Sequence, residues 1–189
     1  MAKKTNLKVV PQELKLDFGC GPRKAEGFLG VDQHKMEGVD VVLDIGKERW
    51  PWADNSISEA RASHFLEHLA VVERVHFFNE LYRVLGKGGT CAIVTPYAFS
   101  ERAYGDPTHK WPPVVGWTYF YLNKEWRLRE APHTDKKWNQ EGYDCDFDWA
   151  YGHGMHAELL KRGTDFQQFA IQWFREAIQD LHCTITARK

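Results

Sequence analysis

Apolar residues in this chain fall first into short runs and only later into a helical rhythm. Leu14 to Phe18, Gly27 to Asp32, Val39 to Ile45 and Ile57 to Ser63 are each bounded by turn-forming or charged residues, and each reads as a strand. From about Ala70 the period changes. Val72, Val75, Phe78, Leu81, Tyr82 and Leu85 recur at helical spacing and predict a helix packed on the sheet, with Gly86 as its left-handed cap. Gly88 and Gly89 then lead into a fifth strand, Thr90 to Thr95, which Pro96 stops. Asp144 to Gly152 and His182 to Ala187 read as a closing pair of strands. Between them Thr164 and Gln167 have the spacing of a capping box, opening a helix whose Phe166, Phe169, Ala170, Trp173, Ala177 and Leu181 would form an inward stripe. Strands that alternate with helices predict a doubly wound α/β sheet, here one domain spanning residues 1–189.

The first strand runs straight into Gly19-Cys20-Gly21, with Asp17 near its end. Glycine reaches positive φ cheaply and lets a ligand approach the backbone, so Gly19 and Gly21 at a strand's carboxyl end suggest a nucleotide-like guest. The second strand ends in Asp32, the type of residue that accepts hydrogen bonds from ribose hydroxyls, and the third ends in Leu43-Asp44-Ile45. Three successive strands that each bring a carboxylate to one sheet edge describe an adenosine site. Asp44 suits the adenine amino group, with Ile45 against the ring.

The short connections narrow the choice of cofactor. A dinucleotide's pyrophosphate sits on a helix N-terminus placed directly after the glycine turn. Here Pro22 to Gly27 separate the turn from the next strand, whereas a crossover with its helix needs about ten to twelve residues. The link from Asp32 to Val39 is equally short. A donor without phosphates fits better, which favours S-adenosyl-L-methionine over NAD, and Asp17 would suit its ammonium group.

The segments Leu16 to Pro22, Gly30-Val31-Asp32, Leu43-Asp44-Ile45, Trp50 to Ser56 and Ala62 to Leu69 together resemble class I S-adenosylmethionine-dependent methyltransferases, most closely the type 11 group. The resemblance is clear from residue 14 to about 96 and looser beyond, where Gly105-Asp106-Pro107-Thr108-His109 is similar to a loop of some members. It implies a Rossmann-like seven-stranded sheet in the order 3-2-1-4-5-7-6, the final strand antiparallel. It also implies a cofactor set of Asp17, Gly19, Cys20, Gly21, Asp32, Gln33, Asp44, Ile45, Ser63 and His64. The sequence departs from the family in lacking full helices after strands 1 and 2. Another element, or a second subunit in a homodimer, is expected to cover that sheet face.

Fourteen aromatic residues lie between Tyr97 and Tyr151, and residues 97–143 read as an insert or substrate lid after the fifth strand. Most of these rings are expected to form the insert's own core. Tyr97, just past Pro96 where an acceptor would enter, is the exception and a candidate catalytic residue. His109 and Asp106 are the leading general-base candidates, because imidazole titrates near neutral pH; stapling their own loop is the structural alternative. Glu67 and His68 are expected to hold the loop before the helix. His153 and His156 have a spacing open to a metal but no evident further ligands, so they are read as structural and no metal is expected. Ala131 to Gly142, polar and carrying Lys136 and Lys137, reads as an exposed loop.

Charge and composition limit the partners. A formal net charge of −1 supplies no global basic field for nucleic acid, and no Asn-Pro-Pro-Tyr or Asp-Pro-Pro-Tyr follows the fourth strand. Four scattered cysteines and the lack of an apolar leader point to a reducing, cytoplasmic setting, and no apolar run is long enough to span a bilayer. The reading is therefore a methyltransferase acting on a hydroxyl, carboxyl or amine of a small molecule or glycan. Nucleic-acid methylation and a non-catalytic S-adenosylmethionine-binding subunit are the alternatives.

Overall fold

The computed structural model describes residues 14–189; the opening residues, including the stretch in which no leader was read, lie outside the described part. Seven strands form one sheet in the order β3-β2-β1-β4-β5-β7-β6. They are β1 (Leu14–Phe18), β2 (Leu29–Asp32), β3 (Val41–Val42), β4 (Ile57–Ser63), β5 (Leu85–Pro96), β6 (Phe147–Met155) and β7 (Ile178–Ala187). The first five are parallel, and β7 runs antiparallel to both β5 and β6. Order and polarity are those expected. The helices are α1 (Val71–Val84), α2 (Lys124–Glu130), α3 (Ala157–Leu160) and α4 (Thr164–Trp173).

No helix follows β1 or β2. The connecting loops take over as cover: a Cβ built on Gly30 would lie 2.4 Å from the Gly38 carbonyl oxygen and 2.9 Å from Cys20 Sγ, so the two loops close over β2 where larger side chains would not fit. Carboxylates pin them there. Asp17 accepts from the Ala25 N–H at 2.8 Å, Asp32 from Gly21 at 3.0 Å, and Asp40 from Gly30 at 2.7 Å while pairing with Lys24.

One sheet face carries the core. Leu16, Phe18, Ala60, Ala62, Cys91, Ile93, Cys183 and Ile185 are buried there with the α1 residues Phe77, Phe78, Leu81 and Val84. Phe18 packs on Trp50 at 4.4 Å between ring centroids and edge-on to Phe77 at 5.5 Å. The alternate residues of β1 and β4 are polar and pair across strands, Lys15 with Glu59 and Arg61 with Asp17.

Three local expectations change. Gly86 is not the left-handed cap of α1: Leu85 leaves the helix in an extended conformation and starts β5 directly, with Gly88 (φ 73°) taking the irregular position. β4 pairs with Leu85 and again from Thr90, and the glycine-rich residues between them form an irregularity within the strand, which their composition disguises. At α4, Gly163 is the N-cap and the Gln167 side chain donates to the Leu160 and Arg162 carbonyls, so the capping box does not form. Its aromatic stripe faces outward: Phe166, Phe169 and Trp173 are 44, 51 and 70% exposed, and only Ala170 is buried. Ala177 and Leu181 lie beyond the helix, because Glu176 at φ 63° turns the chain towards β7.

The insert folds around a buried ion pair. Arg127 is fully buried and donates to Asp135 at 2.8 Å, to the Tyr121 carbonyl and to the Cys145 carbonyl. Asp135 and Ala131 are also buried, so the segment read as an exposed loop is anchored at its start and centre. Burial opposes ionisation of Asp135, but the Lys137 N–H and the Arg127 guanidinium outweigh it and hold its carboxyl below the usual range. A carboxylate with a depressed native pKa stabilises the fold fully above its unfolded pKa, and that contribution disappears as pH falls through the native value. Asp135→Ala, which strands a buried guanidinium, is expected to destabilise the protein by about 3 to 5 kcal/mol at neutral pH. Urea unfolding at neutral and acid pH should show the wild type–variant gap shrinking on acidification.

Candidate functional site

At the carboxyl ends of β1 to β4 lies a cavity of about 540 Å³, within the usual range of about 300 to 1,000 Å³ for small-molecule sites. Its wall includes Gly19 after β1, Asp32 and Gln33 after β2, Asp44 and Ile45 after β3, and His64 after β4. Six residues of the expected cofactor set therefore converge on one space. Each strand end is held by backbone pairing: Gly19 N–H donates to Val31 at 2.8 Å, Leu43 N–H to Asp32 at 3.0 Å and His64 N–H to Val94 at 2.8 Å.

The other four stand differently. Asp17 is only 3% exposed and does not line the cavity; its carboxylate faces the Ala25 N–H and, at 3.4 Å, Arg61 Nε. Burial raises its pKa, against that hydrogen bond and the guanidinium. Cys20, Gly21 and Ser63 also lie off the wall. The Cys20 thiol, pushed up to about 11 by burial and by Asp17 and Asp32, stays protonated at neutral pH. Gly21 acts through its N–H on Asp32.

Gly19 has φ 62°, and a Cβ there would meet the Phe65 ring at 2.3 Å. The space freed by this glycine is filled by Phe65, which itself lines the cavity. The two acids keep acceptor capacity. Asp32 takes one backbone N–H on each oxygen, from Gly21 and His34, and Asp44 takes the Gly46 N–H and Lys47 at 3.1 Å. A carboxylate offers about four lone-pair sites, so both have further positions for a ligand.

Sequence reading missed the rest of the wall, which includes Leu69 and Glu73 at the entry to α1, Lys47, His68 and Lys110. Lys110 belongs to a loop remote in sequence, and tertiary ties bring it in. Arg74 is buried and donates to the Leu66 and Leu69 carbonyls from Nε, to Pro112 at 2.6 Å and to Lys110 at 3.2 Å, while the Lys110 N–H donates to the Glu67 carbonyl at 2.7 Å. One guanidinium thereby clamps the turn containing Glu67 and His68 to the loop containing His109.

Of the three catalytic candidates, His109 belongs to this wall region, its ring edge-on to His68 at 4.8 Å. Asp106 is exposed and caps its own loop, accepting from the Thr108 N–H and hydroxyl; those bonds lower its pKa. Tyr97 lies elsewhere. Its ring packs against Phe99 and His153 and lines a separate cleft with Trp173, Phe174 and Ile178. His153 is thus part of an aromatic cluster, and His156 caps α3 by accepting the Glu158 N–H. Beside the cavity, Glu67 raises the pKa of the His64 imidazole from 3.4 Å away, against partial burial.

No protein-family model matches the chain, and no curated protein sequence does. Solved structures do. An S-adenosylmethionine-dependent methyltransferase from Archaeoglobus fulgidus aligns with a TM-score of 0.59 at 18% identity, covering 92% of this chain and 86% of that one. The [4+2]-cyclase SpnF aligns at 0.50 and 12% identity, covering 93% and 75%. With the strand order above, these alignments give the chain the class I methyltransferase fold.

Proposed function

We propose that this chain is an S-adenosylmethionine-dependent methyltransferase, with the methyl donor in the cavity at the carboxyl edge of β1 to β4 and a hydroxyl, carboxyl or amine of a small molecule or glycan as acceptor. The observation that carries the proposal is the convergence of Gly19, Asp32, Asp44 and Ile45 on one cavity where the connections after β1 and β2 contain no helix. Vicinal hydroxyls fit Asp32, an amino group fits Asp44, and a flat ring fits Ile45; a pyrophosphate at the glycine turn would find no helix N-terminus after it. When bound, the donor supplies an electrophilic methyl group. The protein's part is alignment of the acceptor, which can contribute roughly 7 to 11 kcal/mol. We assign the acceptor to the part of the cavity wall formed by His68 and Lys110, with Glu67 and His109 behind it, since Tyr97 lines a different cleft.

The fold alone does not fix the reaction, as the cyclase with the same fold illustrates. Four free cysteines, three of them buried, fit the cytoplasmic reading, and among the described residues no helix is long and apolar enough to cross a membrane.

S-adenosylmethionine or S-adenosylhomocysteine should raise the melting temperature of the purified protein and NAD should not, since only a ligand of the native state stabilises it; the reverse order would refute the cofactor assignment. Asp32→Ala and Asp44→Ala should each weaken S-adenosylhomocysteine binding by about 1 to 3 kcal/mol, measured by calorimetry, through loss of charge-assisted hydrogen bonds. Release of S-adenosylhomocysteine on incubation with a panel of hydroxyl, carboxyl and amine acceptors tests transfer itself. Tight cofactor binding with no turnover across the panel would favour the non-catalytic subunit.

A further inference from the structure

Glu67 presents an unresolved problem of charge. The residue is 5% exposed, both carboxylate oxygens are buried, and neither accepts a hydrogen bond. His64 Nδ1, charged only when protonated, is 3.4 Å away, and the Arg74 guanidinium acts on the carboxylate without bonding to it. A buried carboxylate left this way costs several kcal/mol unless something compensates it. Beside it stand His68 and His109, and one ligand atom from each of the three residues lies within 4.8 Å of the others.

The hydrogen bonds of both imidazoles have a common pattern. His109 Nδ1 lies 3.1 Å from the Ala103 carbonyl oxygen, which can only accept, so Nδ1 carries the proton and Nε2, 3.9 Å from an Asp106 carboxylate oxygen, is the nitrogen left for a ligand. His68 Nδ1 lies 3.0 Å from the Thr108 hydroxyl, which in turn donates to Asp106 at 2.7 Å. That hydroxyl's proton is committed to the carboxylate, so His68 Nδ1 also donates and its Nε2 is free. Imidazoles whose second nitrogen is fixed by a carbonyl or a carboxylate-linked donor are the normal supporting arrangement of metal-binding histidines. Asp106, expected as a base, acquires a different role here, orienting His68 through Thr108. The Arg74 clamp and the bond from Lys110 N–H to the Glu67 carbonyl hold the two ligand-bearing segments together.

We propose that Glu67, His68 and His109 form a binding site for a first-row divalent cation of the zinc class, at the wall of the cavity, where the ion would take an oxygen atom of the acceptor as a further ligand. Two imidazoles and one carboxylate are a donor set suited to Zn²⁺ and its neighbours more than to Mg²⁺ or Ca²⁺. A tetrahedral ion with bonds of about 2.1 Å sets its donors about 3.4 Å apart, so side-chain rotations that draw donors now within 4.8 Å together by up to about 1.4 Å complete the shell. Three protein donors leave a tetrahedral ion one open position, and His68 lines the cavity. The inference rests on the methyltransferase reading for the acceptor, though not for the ligands.

The test is calorimetric titration of chelator-stripped protein with ZnCl₂, with S-adenosylhomocysteine binding measured separately on the same samples. Wild-type protein should take up one ion saturably and melt at a higher temperature with it. Glu67→Gln and His109→Gln should each weaken binding at least about tenfold, as should Asp106→Ala through the Thr108 relay. His133→Gln, at an exposed histidine outside the cluster, should not. With Co²⁺ as probe, the visible absorption of the bound ion should disappear in His109→Gln, a readout on wild-type and variant protein whose folding circular dichroism verifies. Wild-type protein that binds S-adenosylhomocysteine but no ion would overturn the inference, as would zinc binding unaffected by Glu67→Gln and His109→Gln. Zinc uptake that depends on these residues, without S-adenosylhomocysteine binding, would uphold the metal site and refute the methyl-donor reading.

Discussion

Carboxylates hydrogen-bonded to backbone N–H groups do the work that helices do in a longer α/β chain. Parallel strands normally need a crossover helix both to return the chain and to cover the sheet. Between β1, β2 and β3 this protein has only loops, and Asp17, Asp32 and Asp40 fasten them through Ala25, Gly21, His34 and Gly30. The loops in turn lie close enough over β2 that Gly30 has no room for a side chain. Because the cover is thin and stapled from below, the strand ends stay open to a ligand, and Asp32 serves the loop and the cavity with the same carboxylate.

The far half of the site depends on guanidinium groups. Arg74 joins the turn after β4 to the loop after β5, and Arg127 organises the insert behind that loop. Each satisfies several buried carbonyls that irregular backbone would otherwise leave unpaired, which a helix-poor insert needs more than a regular one does. Of the aromatic residues in the insert, Tyr119 is fully buried in the main core, whereas Phe120 packs on Trp126 and on Trp149 of β6; none of them contributes surface to the cavity.

The two halves differ in how they bring chemistry to the cavity. Asp32, Asp44 and Ile45 arrive on consecutive strands and follow from local pattern. His68, Glu67 and His109 arrive from segments some forty residues apart that only the Arg74 clamp and the bond between Lys110 and Glu67 bring into register. The first group can be read along the chain, and the second has to be assembled across it.

That contrast marks what the amino-acid order determined. Strand periodicity, the glycine turn and the acids at strand ends were enough to mark β1 to β5 and α1, because each rests on contacts within one or two neighbouring elements, while the sheet order and its antiparallel closing strand followed from the family resemblance. Tertiary structure decided the rest. Asp17 turned out to fasten a loop away from the cavity, Phe65 to fill the space that Gly19 leaves, β5 to begin at Leu85 with its glycines as an irregularity, and the α4 aromatics to face outward. In each case the deciding partner lies far along the chain or the deciding force is burial of a face, and neither is encoded in the spacing of nearby residues.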